Sequence, residues 1–304
     1  TSVVRADMYY KVAWDNYHRP ALQGYSSWSM DTATVQRLYD AALYYYDLAM
    51  DLAPDEDYYL LFFGKAFLEM AETTEDQQLK LRLLREGEAR LKQARDLNPL
   101  NTDHTANLAR LYRTWALGSP DAATREAKLA EAERYYGEAT KLSPQNAALY
   151  NEWGQVLLDM GRHEESLARY QQSLALDDRF SQTFVMLGEY YLAQQAYDKA
   201  LPYYQRAQEL DARSPQIRSK LGYLYAALGD YTRAISEYVA VTQAVPNHYG
   251  THRMLANLYG QTGRVDEALR EANLARSLAP ENERADLDRY ISQLQALLQQ
   301  GAKP

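Results

Sequence analysis

Residues 181–214 read SQTFVMLGEYYLAQQAYDKALPYYQRAQELDARS, and residues 215–248 read PQIRSKLGYLYAALGDYTRAISEYVAVTQAVPNH. Laid over one another, the two 34-residue stretches agree at Leu187/Leu221, Gly188/Gly222, Tyr191/Tyr225, Ala200/Ala234 and Tyr204/Tyr238. The columns run back to Trp153, Gly154, Leu157, Ser166 and Tyr170. They run forward to Leu255, Ala256, Tyr259, Ala268 and Ala272. Four copies in one phase at this period are the mark of a stacked two-helix unit. A chain of such units is built to present a surface rather than to enclose a reaction centre.

Each column has a physical sense. Leu187, Gly188 and Tyr191 lie about one turn apart on a first helix, and Ala200 begins the buried stripe of a second. Small residues on both helices let the backbones approach closely. Tyr204 and Ala207 are expected to pack on the following copy. Met160-Gly161-Arg162, Leu228-Gly229-Asp230 and Thr262-Gly263-Arg264 end first helices, where glycine supplies a left-handed cap. Pro246 and Pro280 follow second helices, which they cannot continue.

With these residues in place the chain resembles the tetratricopeptide repeat family. The pattern of a large residue, a glycine, a large residue, a small one, an aromatic, a small one and a proline is carried by Leu221-Gly222-Tyr225-Ala234-Tyr238-Val241-Pro246 and by its three companions over residues 147–282. Departures are mild: Asp178 and Ala212 stand where proline is usual, and Ala272 replaces the aromatic. The resemblance implies an all-α, right-handed superhelical solenoid, a concave face lined by first helices, and peptide or protein partners.

A stretched form of the unit occupies the first half. Pro54, Pro99 and Pro144 are 45 residues apart, as are Phe63 and Leu108, Gly64 and Ala109, and Phe67 and Tyr112. The division expected is an irregular N-terminal unit over 1–56, long repeats at 57–101 and 102–146, and regular ones at 147–180, 181–214, 215–248 and 249–282. A capping helix follows at 283–299, giving a single solenoid of about seven helix pairs. The extra eleven residues, about three helical turns, sit near 72–83 and 117–126. Longer helices are expected at Ala71–Lys92 and a loop at Gly118-Ser119-Pro120-Asp121, since serine before proline disfavours helix. At the N-terminus, Asp7–Tyr17 reads as a helix partnering Thr32–Ala53, and His18–Asp31, with Pro20 and Gly24, as an irregular loop. In the capping helix Leu287, Ile291, Leu294 and Leu298 form the apolar stripe. Asp286, Asp288, Arg289, Gln293 and Gln300 form the polar face.

Composition narrows the function. The net charge of −8 argues against nucleic acid, whose phosphates need a basic footprint. No cysteine is present, which removes disulfide and thiolate chemistry. No run approaches the roughly 18 apolar residues of a membrane helix. The chain begins Thr1-Ser2, which reads as a piece excised or processed from something longer. Tyrosine is the outlier at 27 residues. It serves either the core columns or an aromatic contact surface, and Tyr44-Tyr45-Tyr46 cannot all be buried on one helix. Leu97–Tyr112, with Ala6–Lys11 ahead of it, is also similar to the soluble tail of bacterial O-antigen ligase/polymerase-like membrane proteins. That second resemblance implies an extracytoplasmic accessory domain binding a partner or glycan. Without it a cytoplasmic scaffold is implied.

Phosphate loops, zinc-protease and hydrolase motifs and calcium loops are missing from the sequence, and the reading is of a non-enzyme with no cofactor and no metal. His248 and His252 have the spacing of two ligands on one helix face, but no third ligand is evident. Asp103-His104 with Asn107 and Arg110 is the densest polar cluster, more simply read as a helix start capped by Thr102 or Asp103. The binding face is expected from two columns of the first helices. One follows the glycine position: Lys65, Arg110, Gln155, Glu189, Tyr223 and Asn257. The other precedes it by one turn and carries Leu61, Ala106, Asn151, Val185, Ser219 and Arg253. With Asn107 and Arg113 these give a groove that is basic at Lys65, Arg110 and Arg113 and amide-lined beyond. The Asn/Lys/Arg clamp by which some family members hold a terminal carboxylate is broken at Asn151-Gln155 and Val185-Glu189. The basic trio is expected to converge on one wall, unless Glu69, Asp103 or an inserted helix neutralises it.

Overall fold

The computed structural model describes residues 2–26 and 30–301, and these are helical with no strand. Two compact units divide the chain, 1–183 and 184–304.

The first unit begins with α1 (Ser2–Lys11), a π-helical segment (Val12–His18) and α2 (Arg19–Ser26). Arg19 N–H donates to the Trp14 carbonyl, the i→i−5 bond that defines the wider turn. The irregular loop expected from His18 is therefore helix as far as Ser26. Pro20 is the second residue of α2, directly after the π-helical turn. Residues 27–29 of that expected loop lie outside the described residues. These segments pack on α3 (Thr32–Leu52). Tyr46 is buried on α3, and its neighbour Tyr44 is exposed. Tyr10 contacts Tyr46, Tyr58, Tyr59 and Phe62, so part of the tyrosine excess builds core here.

Then come packed pairs: α4 (Asp57–Thr73) with α5 (Gln77–Leu97), α6 (Thr102–Leu117) with α7 (Ala122–Leu142), and α8 (Ala147–Asp159) with α9 (His163–Leu176). The lengthening is shared between helices. α4 has 17 residues and α5 has 21, against 13 in α8 and 14 in α9. The added four and seven residues are about one turn and two turns, so buried stripes keep their facing. Ala71–Lys92 is accordingly two helices, broken at residues 74–76, where Asp76 caps α5 by accepting from the Gln78 and Leu79 N–H groups. Gly118–Asp121 is a loop. α6 is capped by Asn101, which accepts from Asp103 N–H, so neither Thr102 nor Asp103 is the cap.

α10 (Ser181–Ala193) crosses the division between the units. The second unit holds α11 (Tyr197–Leu210), α12 (Pro215–Ala227), α13 (Tyr231–Ala244), α14 (Tyr249–Gln261), α15 (Val265–Leu278) and α16 (Glu281–Gly301). α16 packs on α15 and buries Leu287, Ile291 and Leu294. Asp286, Asp288, Arg289 and Gln293 stay exposed; the Gln300 side chain lies outside the description.

The glycine column explains the close crossings. A Cβ on Gly188 would lie 2.5 Å from the Tyr204 ring, one on Gly154 2.5 Å from Tyr170, and one on Gly222 2.8 Å from Tyr238. The aromatic of the second helix thus lies over the glycine of its own copy, a contact the packing expected on the following copy did not include. Gly161, Gly229 and Gly263 adopt φ of +74°, +81° and +73° at the turns. In the same column Gln195 is forced to φ 57°.

Candidate functional site

The polar residues of the first helices are laced to their neighbours. In the first unit Arg110 on α6 makes a two-pronged bond to Glu152 on α8, Nε and Nη2 each 2.8 Å from a carboxylate oxygen. Its third nitrogen donates to Asn107 Oδ1, and the Tyr136 hydroxyl donates to the same Glu152. Arg113 Nε lies 2.6 Å from Asp159, and Thr114 donates to Glu72 on α4. Glu72 lies close enough to Arg110 and Arg113 to feel both charges, although burial raises its pKa. In the second unit Lys220 pairs with Glu189 at 2.8 Å, and Arg253 pairs with Glu283 at 3.0 Å.

This arrangement corrects the expected free basic wall. Arg110 and Arg113 are neutralised, directly by Glu152 and Asp159 of the next helix pair, with the charges of Asp103 and of Glu72 in the added segment close by. Lys65 has no ion pair among the described residues. Its ammonium lies 5.3 Å from the centre of the Phe62 ring. The second column is corrected in the first unit. Leu61, Ala106 and Asn151 are buried there, as is Asn107. Asn151 donates to Thr183 Oγ1 at 2.9 Å, and Asn107 to the Asp103 carbonyl at 2.7 Å. Close stacking of first helices turns these amides inward. Gln155, Glu189 and Asn257 are half-buried, while Tyr223 and Arg253 are exposed.

The partners Glu72, Glu152, Asp159, Lys220 and Glu283 escaped the sequence reading, which matched only residues in the same phase. A signal existed. Arg110 and Glu152 are 42 residues apart, and Arg253 and Glu283 are 30 apart, one repeat less about one helical turn.

Four of the five histidines make contacts within the fold. His252 Nδ1 lies 2.6 Å from Glu271 and Nε2 lies 2.7 Å from the Pro246 carbonyl, so both ring nitrogens are engaged. His248 caps α14 by accepting from Thr251 N–H. His104, fully buried, places Nε2 2.7 Å from Asp57. Burial works against the Asp57 carboxylate, but bonds from His104 and Asn98 prevail and hold its pKa low. His18, also buried, sits 2.7 Å from the Tyr46 hydroxyl and 2.5 Å from Glu69. Among the described residues no three metal-ligating side chains converge, and no helix is long and apolar enough to cross a membrane.

Paired helices, glycine crossings and a polar first-helix face define a helical-repeat protein of the interaction-scaffold kind. The second half of the chain carries tetratricopeptide repeats. Two tetratricopeptide repeat family models match, over residues 145–213 and 225–298. No curated protein matches in sequence. Among solved structures the chain is similar to one in a crystal structure of the APC/C hetero-tetramer Cut9–Hcn1, with 15% identity and a TM-score of 0.60, over 86% of this chain and 48% of that one. It thus spans about half the length of that relative. It is also similar to PilF of Pseudomonas aeruginosa, with 19% identity and a TM-score of 0.54, over 77% of this chain and 96% of that one. At these identities the likeness is one of fold. Neither the family models nor these neighbours extend the similarity to O-antigen ligase-like tails.

Proposed function

We propose that the chain is a non-enzymatic scaffold that holds an extended peptide or protein segment against the first helices. Each unit offers contact residues of its own: Lys65, Arg110, Arg113 and Gln155 in the first, and Glu189, Tyr223, Arg253 and Asn257 in the second. Asn107 and Asn151, being buried, support the face from beneath. Tyr223 carries this reading. It is 41% exposed on α12, yet its ring is held edge-on against Tyr197 at 6.2 Å. An exposed tyrosine fixed before binding offers apolar area and a hydroxyl at small entropic cost. The Lys220–Glu189 pair and Arg253 put charge of both signs on the first helices of this unit.

The test is selection of displayed peptides on the purified chain. Tyr223→Ser combined with Arg253→Glu should weaken the selected peptides by about tenfold or more, near the loss of one anchor contact. Arg206→Glu, on second helix α11, should leave them unchanged. Peptides that bind all three proteins equally would overturn the reading.

A further inference from the structure

A cavity of about 490 Å³ lies in the first unit, away from the residues proposed above. Its walls are the start of α5 and the stretch from the end of α6 into α7, the segments where the long repeats carry their added residues. Leu81, Leu84 and the Trp115 indole make an apolar floor, and Lys80, Arg85 and Lys128 stand around it. The Lys128 ammonium lies 3.8 Å from the centre of the Trp115 ring and 4.9 Å from that of Tyr112.

The charge balance is unusual for a chain of net charge −8. None of the three cations forms an ion pair among the described residues. The single carboxylate of the lining, Asp121, is turned to its own helix and accepts from the Thr124 N–H. The nearby Glu88 is hydrogen-bonded by Lys92 and by the Tyr112 hydroxyl, and it feels Lys128 only as a neighbouring charge. Three cations around an aromatic and aliphatic floor suit an anion with an apolar body. The volume is that of a small-molecule site, not of a channel for a chain.

We infer that this cavity is a second binding site, taking a small organic anion whose aromatic or aliphatic body rests on Trp115 and whose carboxylate faces Lys80, Arg85 and Lys128. The inference is independent of the peptide-binding face. The probe is 1-naphthaleneacetate, titrated calorimetrically, with the neutral 1-naphthaleneacetamide as its partner. The acid should bind, and the amide should bind at least about tenfold more weakly, as expected for one lost charge contact. Lys80→Glu with Arg85→Glu should cost the acid at least the same factor, with helical content unchanged by circular dichroism. Should that variant unfold, Lys80→Gln with Arg85→Gln replaces it, and the acid should still weaken. Equal binding of acid and amide, unchanged binding in the folded variant, or no heat up to the solubility limit of the acid would each overturn the inference.

Discussion

At the scale of single residues, Gln195 occupies a column that is otherwise glycine and adopts φ 57°. A side chain in the left-handed region costs roughly 1–2 kcal/mol, which glycine avoids. Gln195→Gly should therefore stabilise the chain by about 1 kcal/mol, less what glycine adds to the freedom of the unfolded state. A denaturant titration with an unchanged midpoint would refute this. Gly188→Leu works the other way. Its Cβ alone would meet the Tyr204 ring at 2.5 Å, so a loss of about 1–3 kcal/mol or more is expected in thermal melts. The two histidines of the second unit act in opposite directions. The Glu271 bond raises the His252 pKa above 6.5 despite burial. Its contribution is full below that value and is lost as pH rises through the raised one. Burial and the neighbouring His252 lower the His248 pKa, so its contribution is lost as pH falls. In His248→Asn, which keeps a capping side chain, stability should fall steadily as pH rises above about 6. Adding Glu271→Gln should flatten that slope. A slope that survives the second substitution would assign it to other groups.

At the scale of helices, the ion pairs between first helices are partly exposed. Arg110 is 35% and Glu152 31% exposed at the side chain. A double-mutant cycle on the pair should give a coupling of only about 0.5–1 kcal/mol, falling with added salt. Reversing Arg110 alone sets its carboxylate against Glu152. Reversing Glu152 as well, to arginine, should restore most of the loss, and failure to do so would remove the pairing from the account. The regular copies were legible because leucine, glycine and tyrosine in one phase leave a single way to cross two helices. The candidate face was less so. Residue phase shows which positions face inward or outward on one helix, but not that Asn151 reaches Thr183 or that Arg110 meets Glu152. Those contacts depend on the offset between neighbouring helices. The segment from His18 to Ser26 was misread as loop for a related reason. Pro20 and Gly24 look like breakers unless a π-helical turn is foreseen, and no residue type announces one.

At the scale of the whole chain, stability in stacked repeats is close to a sum of local terms. Gly222→Leu, which overpacks α12 on Tyr238, should reduce amide-exchange protection in α12–α15 and leave α4–α7 as they were. Loss of protection throughout would show a single cooperative block. The pairing of Glu189 with Lys220 carries a consequence for inheritance. Repeats of fixed length can be gained or lost one copy at a time without breaking the reading frame. Here a dropped copy is not silent. Removing residues 215–248 brings Met254 to the place of Lys220, and Glu189 would face a thioether instead of an ammonium. The order of the copies is thus written in their charges as well as in their number.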